Sequence, residues 1–270
     1  MMQFIKSRIH VRRVMAACLI AAAVYVVAPG FITSNGYLFA QADASKDAEI
    51  QANVRRQLKD KQFSGVTVNV NGSNVTLSGE VDLFAYKADA MKKAKKVKGV
   101  KEVTDNIAVG GPNVPDQVLQ QKLLGKIQMD RIGFGQVFSA ISVQVQNGAV
   151  LLGGHALDPI TQQSAVGLAS YMPGVKSVEN KIQVDPVSPL DNRVRRAEYN
   201  AIYNYGPLRQ YAMVPSKPIR ISVQNGNVTL YGVVDKQMDK DMAGLRANQV
   251  PGVFHVTNNL IVAGQESDKK

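Results

Sequence analysis

The sequence predicts an α+β protein built from three tandem αββαβ units, each with two helices packed on a small three-stranded mixed sheet. Two observations predict it. The decapeptide VQNGAVLLGG, beginning at Val145, returns nearly unchanged as VQNGNVTLYG, beginning at Val223, and a looser copy, VNVNGSNVTLSG, runs from Val68 to Gly79. The valines after each turn (Val75, Val150, Val228) are followed four residues later by Gly79, Gly154 and Gly232, and twenty residues after those by Gly99, Gly174 and Gly252. No insertion interrupts any copy across that span, so one supersecondary unit is used three times.

Each unit starts with an amphipathic helix, expected at 47–61, 116–131 and 191–205. Asp47, Asp116 and Asp191 stand near the starts, where an acidic side chain favours a helix N-terminus. The segments VTVNV, ISVQV and IRISV alternate as half-buried strands do, and so do VTLSGEV, VLLGGHA and VTLYGVV. Between them, turns are expected at 71–74, 146–149 and 224–227. Asn147-Gly148 and Asn225-Gly226 are strong type I′ signals, because that turn needs φ > 0 at both central positions. In the first unit Gly72-Ser73 is central, which suits type II′. A second helix follows. In the first unit Phe84, Ala88, Met91, Ala94 and Val97 form its apolar face and Lys92, Lys95 and Lys96 lie opposite. Gly99, Gly174 and Gly252 are expected to end these helices as C′ glycines. A last strand begins near Val103, Val178 or Val256 and closes with NIAV, NKIQV or NNLIV. The units therefore span 47–109, 116–184 and 191–262. Linkers at 110–115 and 185–192 are rich in turn-formers, and 263–270 is a polar tail.

Lys6, Arg8, Arg12 and Arg13 precede an uncharged apolar run of fifteen residues at 14–28, then a Pro-Gly and Ala40-Gln41-Ala42. A basic head, a short apolar core and an A-x-A end make residues 1–42 a secretory signal peptide, cleaved before Asp43. An uncleaved anchor is the alternative, although fifteen residues fall short of the ~20 needed to span a bilayer. Cys18, the only cysteine, precedes the apolar core's end and so makes no lipoprotein box. A mature chain without thiols suits an oxidising compartment. The whole chain carries a net charge of +11, and without the head 28 basic residues face 21 acidic ones. That excess favours anionic partners, and export makes nucleic acid the poorest of them, so none is expected.

The αββαβ order, the V-x-L-x-G strand, the (P)GV-x-x-V break and the N-x-[IL]-x-V ending together resemble the BON domain family, over residues 47–262. The second and third copies depart from the pattern by insertions between first helix and first strand, GFGQVFSA at 133–140 and GPLRQYAMVPSKP at 206–218. The resemblance implies a non-catalytic binding module of periplasmic and outer-membrane-associated proteins, tied to osmotic shock and envelope integrity and contacting phospholipid.

The residues themselves show no catalytic signature. There is no nucleophile elbow, phosphate loop or dinucleotide fingerprint, and Gly133-Phe134-Gly135 is too short to be one. His155 and His255 hold different positions in their copies, without metal spacing, and read as surface or partly satisfied side chains. Asp235, Asp239 and Asp241 lack a calcium-loop glycine and read as a solvated face. No cofactor and no metal are expected. Gly72, Gly79, Gly99, Gly148, Gly154, Gly174, Gly226, Gly232 and Gly252 have backbone roles in turns and caps. Two basic features are left. One is the helix carrying Lys92, Lys93, Lys95 and Lys96. The other is the helix mixing Arg193, Arg195 and Arg196 with Tyr199 and Tyr203, a pairing that suits a membrane interface. The expected partner is an anionic phospholipid surface, with envelope proteins or unfolded clients as the alternative. Salt separates the two, because screening weakens surface electrostatics and leaves apolar capture largely intact.

Overall fold

The computed structural model describes residues 35–133 and 135–264. Most of the predicted signal segment lies outside these residues. Ala40, Gln41 and Ala42 fall within the first helix, which begins earlier than the periodicity predicts. Residues 41–264 fall in one compact unit that holds all three repeats.

Repeat one consists of α1 (Asn35–Gln57), β1 (Val66–Asn71), β2 (Asn74–Val81), α2 (Phe84–Lys95) and β3 (Glu102–Val109). Repeat two consists of α3 (Asp116–Met129), β4 (Ala140–Gln146), β5 (Ala149–Ala156), α4 (Pro159–Ser170), β6 (Ser177–Asn180) and β7 (Gln183–Val184). Repeat three consists of α5 (Pro189–Tyr203), α6 (Arg209–Met213), β8 (Arg220–Gln224), β9 (Asn227–Val234), α7 (Gln237–Asn248) and β10 (His255–Val262). In each, the hairpin strands pair antiparallel and the last strand joins the second in parallel. The parallel register is the same throughout: Asn74 faces Glu102, Ala149 faces Ser177 and Asn227 faces His255. β6 and β7 are one strand's path interrupted at Lys181 and Ile182, with the register unchanged on either side.

One core serves each repeat. Alternate side chains of the central strand are buried on either side of a glycine: Val75, Leu77 and Val81; Val150, Leu152 and Ala156; Val228, Leu230 and Val234. The period of two puts these on the sheet face that the helices cover. The glycine inside each series occupies a place where no side chain fits. A Cβ on Gly79, Gly154 or Gly232 would lie 2.0, 2.0 or 1.9 Å from the backbone oxygen of Gly65, Ala140 or Pro218.

The three aspartates turn out to clasp the hairpins; Asp116 and Asp191 stand in the first turns of α3 and α5, whereas Asp47 lies well inside α1, so the helix start expected near it is corrected. The Asp47 carboxylate accepts from the Gly72 and Ser73 amides at 2.7 and 2.8 Å. Asp116 takes the Asn147 and Gly148 amides at 2.6 and 2.9 Å. Asp191 takes those of Asn225 and Gly226 at 3.0 and 2.8 Å. Both central amides thus point at one carboxylate in every copy, and φ is positive at both central residues each time. The first turn is accordingly of type I′ character, with Ser73 at φ +68°, and not type II′. The expectation for Gly99, Gly174 and Gly252 also needs correction. The helices stop at Lys95, Ser170 and Asn248, and the glycines sit at φ of +92°, +95° and +91° in the turn beyond. There Val100, Val175 and Val253 donate to the carbonyls of Val97, Met172 and Val250, which makes each glycine the third residue of a type II-like turn.

Removing a clasp should be measurable. Asp191 and Gly226 are buried, so Asp191→Ala strands a buried donor and is expected to cost about 2 kcal/mol in urea unfolding. An unchanged midpoint would show that the carboxylate does not hold the turn.

Candidate functional site

α2 presents the first basic feature. Its buried residues are Ala85, Ala90 and Ala94, with Met91 and Val97 packed against the repeat-one core, so the apolar face is rotated from the predicted one. Ala88 is exposed, and Phe84 instead packs against the core of repeat two. Lys92, Lys95 and Lys96 are exposed. Lys93 is half-buried and committed to its own repeat. Its ammonium pairs with Asp60 at 2.9 Å, donates to the Gln57 carbonyl at 3.2 Å and sits 4.9 Å from the Phe63 ring centre. That hydrogen bond holds the Asp60 carboxyl below its usual range.

α5 presents the second. Ser188 caps it, its hydroxyl accepting from the Asp191 amide, and Pro189 fixes its first turn. Arg193 and Arg196 are exposed and Tyr199 is half-buried against the repeat-three core. Arg195 and Tyr203 are corrections to the predicted contact set. Arg195 is 2% exposed and its guanidinium donates to Asn192 at 2.8 Å, to the Val223 carbonyl at 2.6 Å and to Asp185 at 3.2 Å. Tyr203 is 1% exposed. Its hydroxyl donates to the Ile219 carbonyl at 2.6 Å and accepts from the Ile219 amide at 3.0 Å, and burial raises its pKa. Neither side chain is available to a surface partner, because each satisfies buried backbone groups of β8 or its approach.

The first insertion joins repeat two to repeat three. Val137 belongs to the core of repeat three and Phe138 packs against it, although both precede β4 of repeat two. Gln136 accepts from the Arg220 guanidinium at 2.8 Å. The second insertion forms a 3₁₀ turn and α6, and buries Leu208 and Tyr211. The Tyr211 hydroxyl donates to Asp239 at 2.6 Å and accepts from the Asp235 amide at 2.7 Å. Burial and the Asp239 bond push that phenol up to about 12. Asp239 is therefore buried, and only Asp235 and Asp241 keep the solvated character predicted for all three. His155 also enters this interface, with Nδ1 2.9 Å from the Gln224 amide, which itself donates to Asp185 at 2.8 Å. His255 is exposed. Between the repeats lies a cavity of about 500 Å³ whose wall includes Gln136 and Ser139 from one insertion and Ser216 and Pro218 from the other.

Family comparison agrees with this architecture. The BON domain model matches residues 46–111, 115–186 and 208–264. The chain belongs to the BON domain family. Osmotically-inducible protein Y of Escherichia coli (strain K12) is 29% identical over 131 residues, which is 44% of this chain and 60% of that protein. The chain thus spans less than two thirds of that relative's length. Two solved structures of CdsD, a structural protein of the Type III secretion system of Chlamydia trachomatis, one of them its C-terminal domain, align at 16% and 18% identity. They cover 78% and 80% of this chain and 96% and 94% of theirs, with TM-scores of 0.24 and 0.23. Scores that low support no transfer of structure or function.

The third BON match begins only at Leu208, after α5, and α5 carries a residue that departs from the other repeats. Counting from the clasping aspartates, the inward row of each first helix reads Ile50-Val54-Leu58, Leu119-Leu123-Ile127 and Val194-Glu198-Ile202. Glu198 thus occupies the place of two fully buried aliphatic residues. It is itself 0% exposed, and neither carboxyl oxygen has a hydrogen-bond partner. Desolvation pushes its pKa up to about 8. Among the described residues no group of three His, Cys, Asp or Glu could hold a metal ion, and no helix is long and apolar enough to cross a membrane.

Proposed function

We propose that this chain is an exported envelope protein whose BON repeats bind anionic phospholipid surfaces and help maintain the envelope under osmotic stress. The observation that carries the reading is the exposed row Lys92 and Lys95 on α2 with Lys96 just beyond its end. Exposed Arg193 and Arg196 on α5 add two charges on another repeat. The similarity to osmotically-inducible protein Y supports the stress context, and the basic, apolar N-terminal segment supports export to the periplasm. Attraction of about 1 kcal/mol per basic residue near an anionic surface allows weak, reversible association through three lysines.

The test is a charge reversal confined to the exposed positions. Lys92→Glu, Lys95→Glu and Lys96→Glu together should reduce binding of the chain from Asp43 to phosphatidylglycerol vesicles at least tenfold. Thermal stability should stay near that of the wild type, because these side chains lie outside the core. Lys93 is left in place, since reversing it would break its pair with Asp60. A second reading, a stress-inducible chaperone or protein-binding scaffold, is favoured by exposed Met213 and Phe254 at 81% and 83% exposure. If the triple variant binds vesicles as well as the wild type does, and both suppress client aggregation, the chaperone reading replaces the first.

A further inference from the structure

We propose that the cavity between repeats two and three is a binding site for a small single-chain amphipathic anion, a carboxylate or phosphate monoester bearing a short alkyl tail. The cavity holds about 500 Å³, within the roughly 300–1,000 Å³ usual for small-molecule sites. Its wall is divided in kind. Arg220 and Arg131 supply two guanidinium groups, while Ile127, Ile141 and Val233 supply apolar surface. Asp130 also lines the cavity, but its carboxylate already accepts from the Ser164 hydroxyl at 2.6 Å, and the two arginines leave the wall net positive.

Arg220 has the features of a recognition group. It is 9% exposed and committed by one guanidinium nitrogen to Gln136, which fixes its orientation and leaves its other donors for a ligand. A guanidinium fork matches carboxylate or phosphate geometry, and desolvation strengthens the contact. The cavity is also not a by-product of the shared fold. The two insertions that depart from the BON pattern, at 133–140 and 206–218, both contribute to its wall. Outside the hairpin turns, the described non-glycine residues with positive φ are Arg131, at +53°, and Lys217, at +46°, beside the first insertion and within the second. Backbone held in that region is costly and collects at ligand sites.

The inference is independent of the membrane-surface reading, because the α2 lysines are absent from the cavity wall. The full protein, as purified from cells that express it, is titrated calorimetrically with octanoate, octyl phosphate, octyl glucoside and inorganic phosphate, each below any micelle-forming concentration. One-to-one saturable binding of octanoate or octyl phosphate is expected, at least tenfold tighter than that of neutral octyl glucoside or bare phosphate. Preference for the carboxylate would point to a fatty acid, and preference for the phosphate to a phospholipid-derived monoester. Arg220→Gln should weaken binding at least tenfold. Val233→Asp, at a 51% exposed wall position that tolerates a polar side chain, should do the same and decides the matter if the Arg220 variant fails to fold. The K92E/K95E/K96E variant should bind as the wild type does. Absence of saturable anion binding, equal binding of octyl glucoside or of phosphate, or unchanged affinity in Val233→Asp would overturn the proposal.

Discussion

Replacing Arg195 by Met is expected to cost the fold about 3–5 kcal/mol, the usual consequence of breaking a buried ion pair from one side. Arg195 and Asp185 are 3% and 1% exposed at their side chains, and their 3.2 Å contact joins the linker that leaves repeat two to the first helix of repeat three. The methionine fills much of the volume but leaves Asp185 buried with Gln224 as its remaining side-chain donor at bonding distance and His155 3.5 Å away. The Val223 carbonyl also loses its partner at 2.6 Å. Pairing the change with Asp185→Asn removes the stranded charge and should restore a large part of the loss. Urea unfolding of the two single variants and the double variant checks this. A single Arg195→Met variant within 1 kcal/mol of the wild type would mean that the pair does not hold the repeats together.

Replacing Glu198 by Leu is expected to stabilise the protein, by an amount that grows with pH. The folded state raises the Glu198 pKa from an ordinary 4.5 to about 8, so the fold favours the protonated acid. Below the unfolded value both states hold the proton and ionisation adds no penalty. As pH climbs from about 4.5 to about 8 the unfolded chain releases its proton first, and stability falls throughout that window before levelling off. At 1.36 kcal/mol per pKa unit the full effect is of order 5 kcal/mol. Leucine, the residue at the matching position of repeat two, removes this dependence and the unpartnered oxygens together. Thermal melts from pH 5 to pH 9 should show the wild-type curve descending and the Glu198→Leu curve lying higher and flatter. Parallel curves would contradict the assignment.

Much of the fold could be read from the sequence because a period of two and a fixed glycine spacing depend only on local chemistry. The turns at 72–73, 147–148 and 225–226 needed nothing beyond the chain's own letters. The clasping aspartates are legible in the sequence only as helix-end charges, since their partners lie 25 to 35 residues away and share no local signal. Arginine and tyrosine usually reach water, so local pattern alone puts Arg195 and Tyr203 on a surface. Tertiary context overrode that, with Asp185 in the linker and Ile219 beyond the insertion supplying partners that no periodicity reveals. Glu198 was detectable in principle. Counting seven residues on from Asp47, Asp116 and Asp191 gives Val54, Leu123 and Glu198, and the acid stands out in that row. The cavity was not detectable, because both insertions lie outside the repeat that makes the rest predictable.

The proposed electrostatic association of this BON protein with anionic membrane has a direct test. The most direct measurement is flotation of residues 43–270 with vesicles of pure phosphatidylcholine or of phosphatidylcholine with phosphatidylglycerol. It is run at ionic strengths of about 0.01 M and 0.15 M, where the screening length falls from about 30 to about 8 Å. Co-flotation with the anionic vesicles at low salt is expected, with a marked loss at the higher salt and none with neutral vesicles. Equal flotation with both lipids, or flotation that ignores salt, would contradict it.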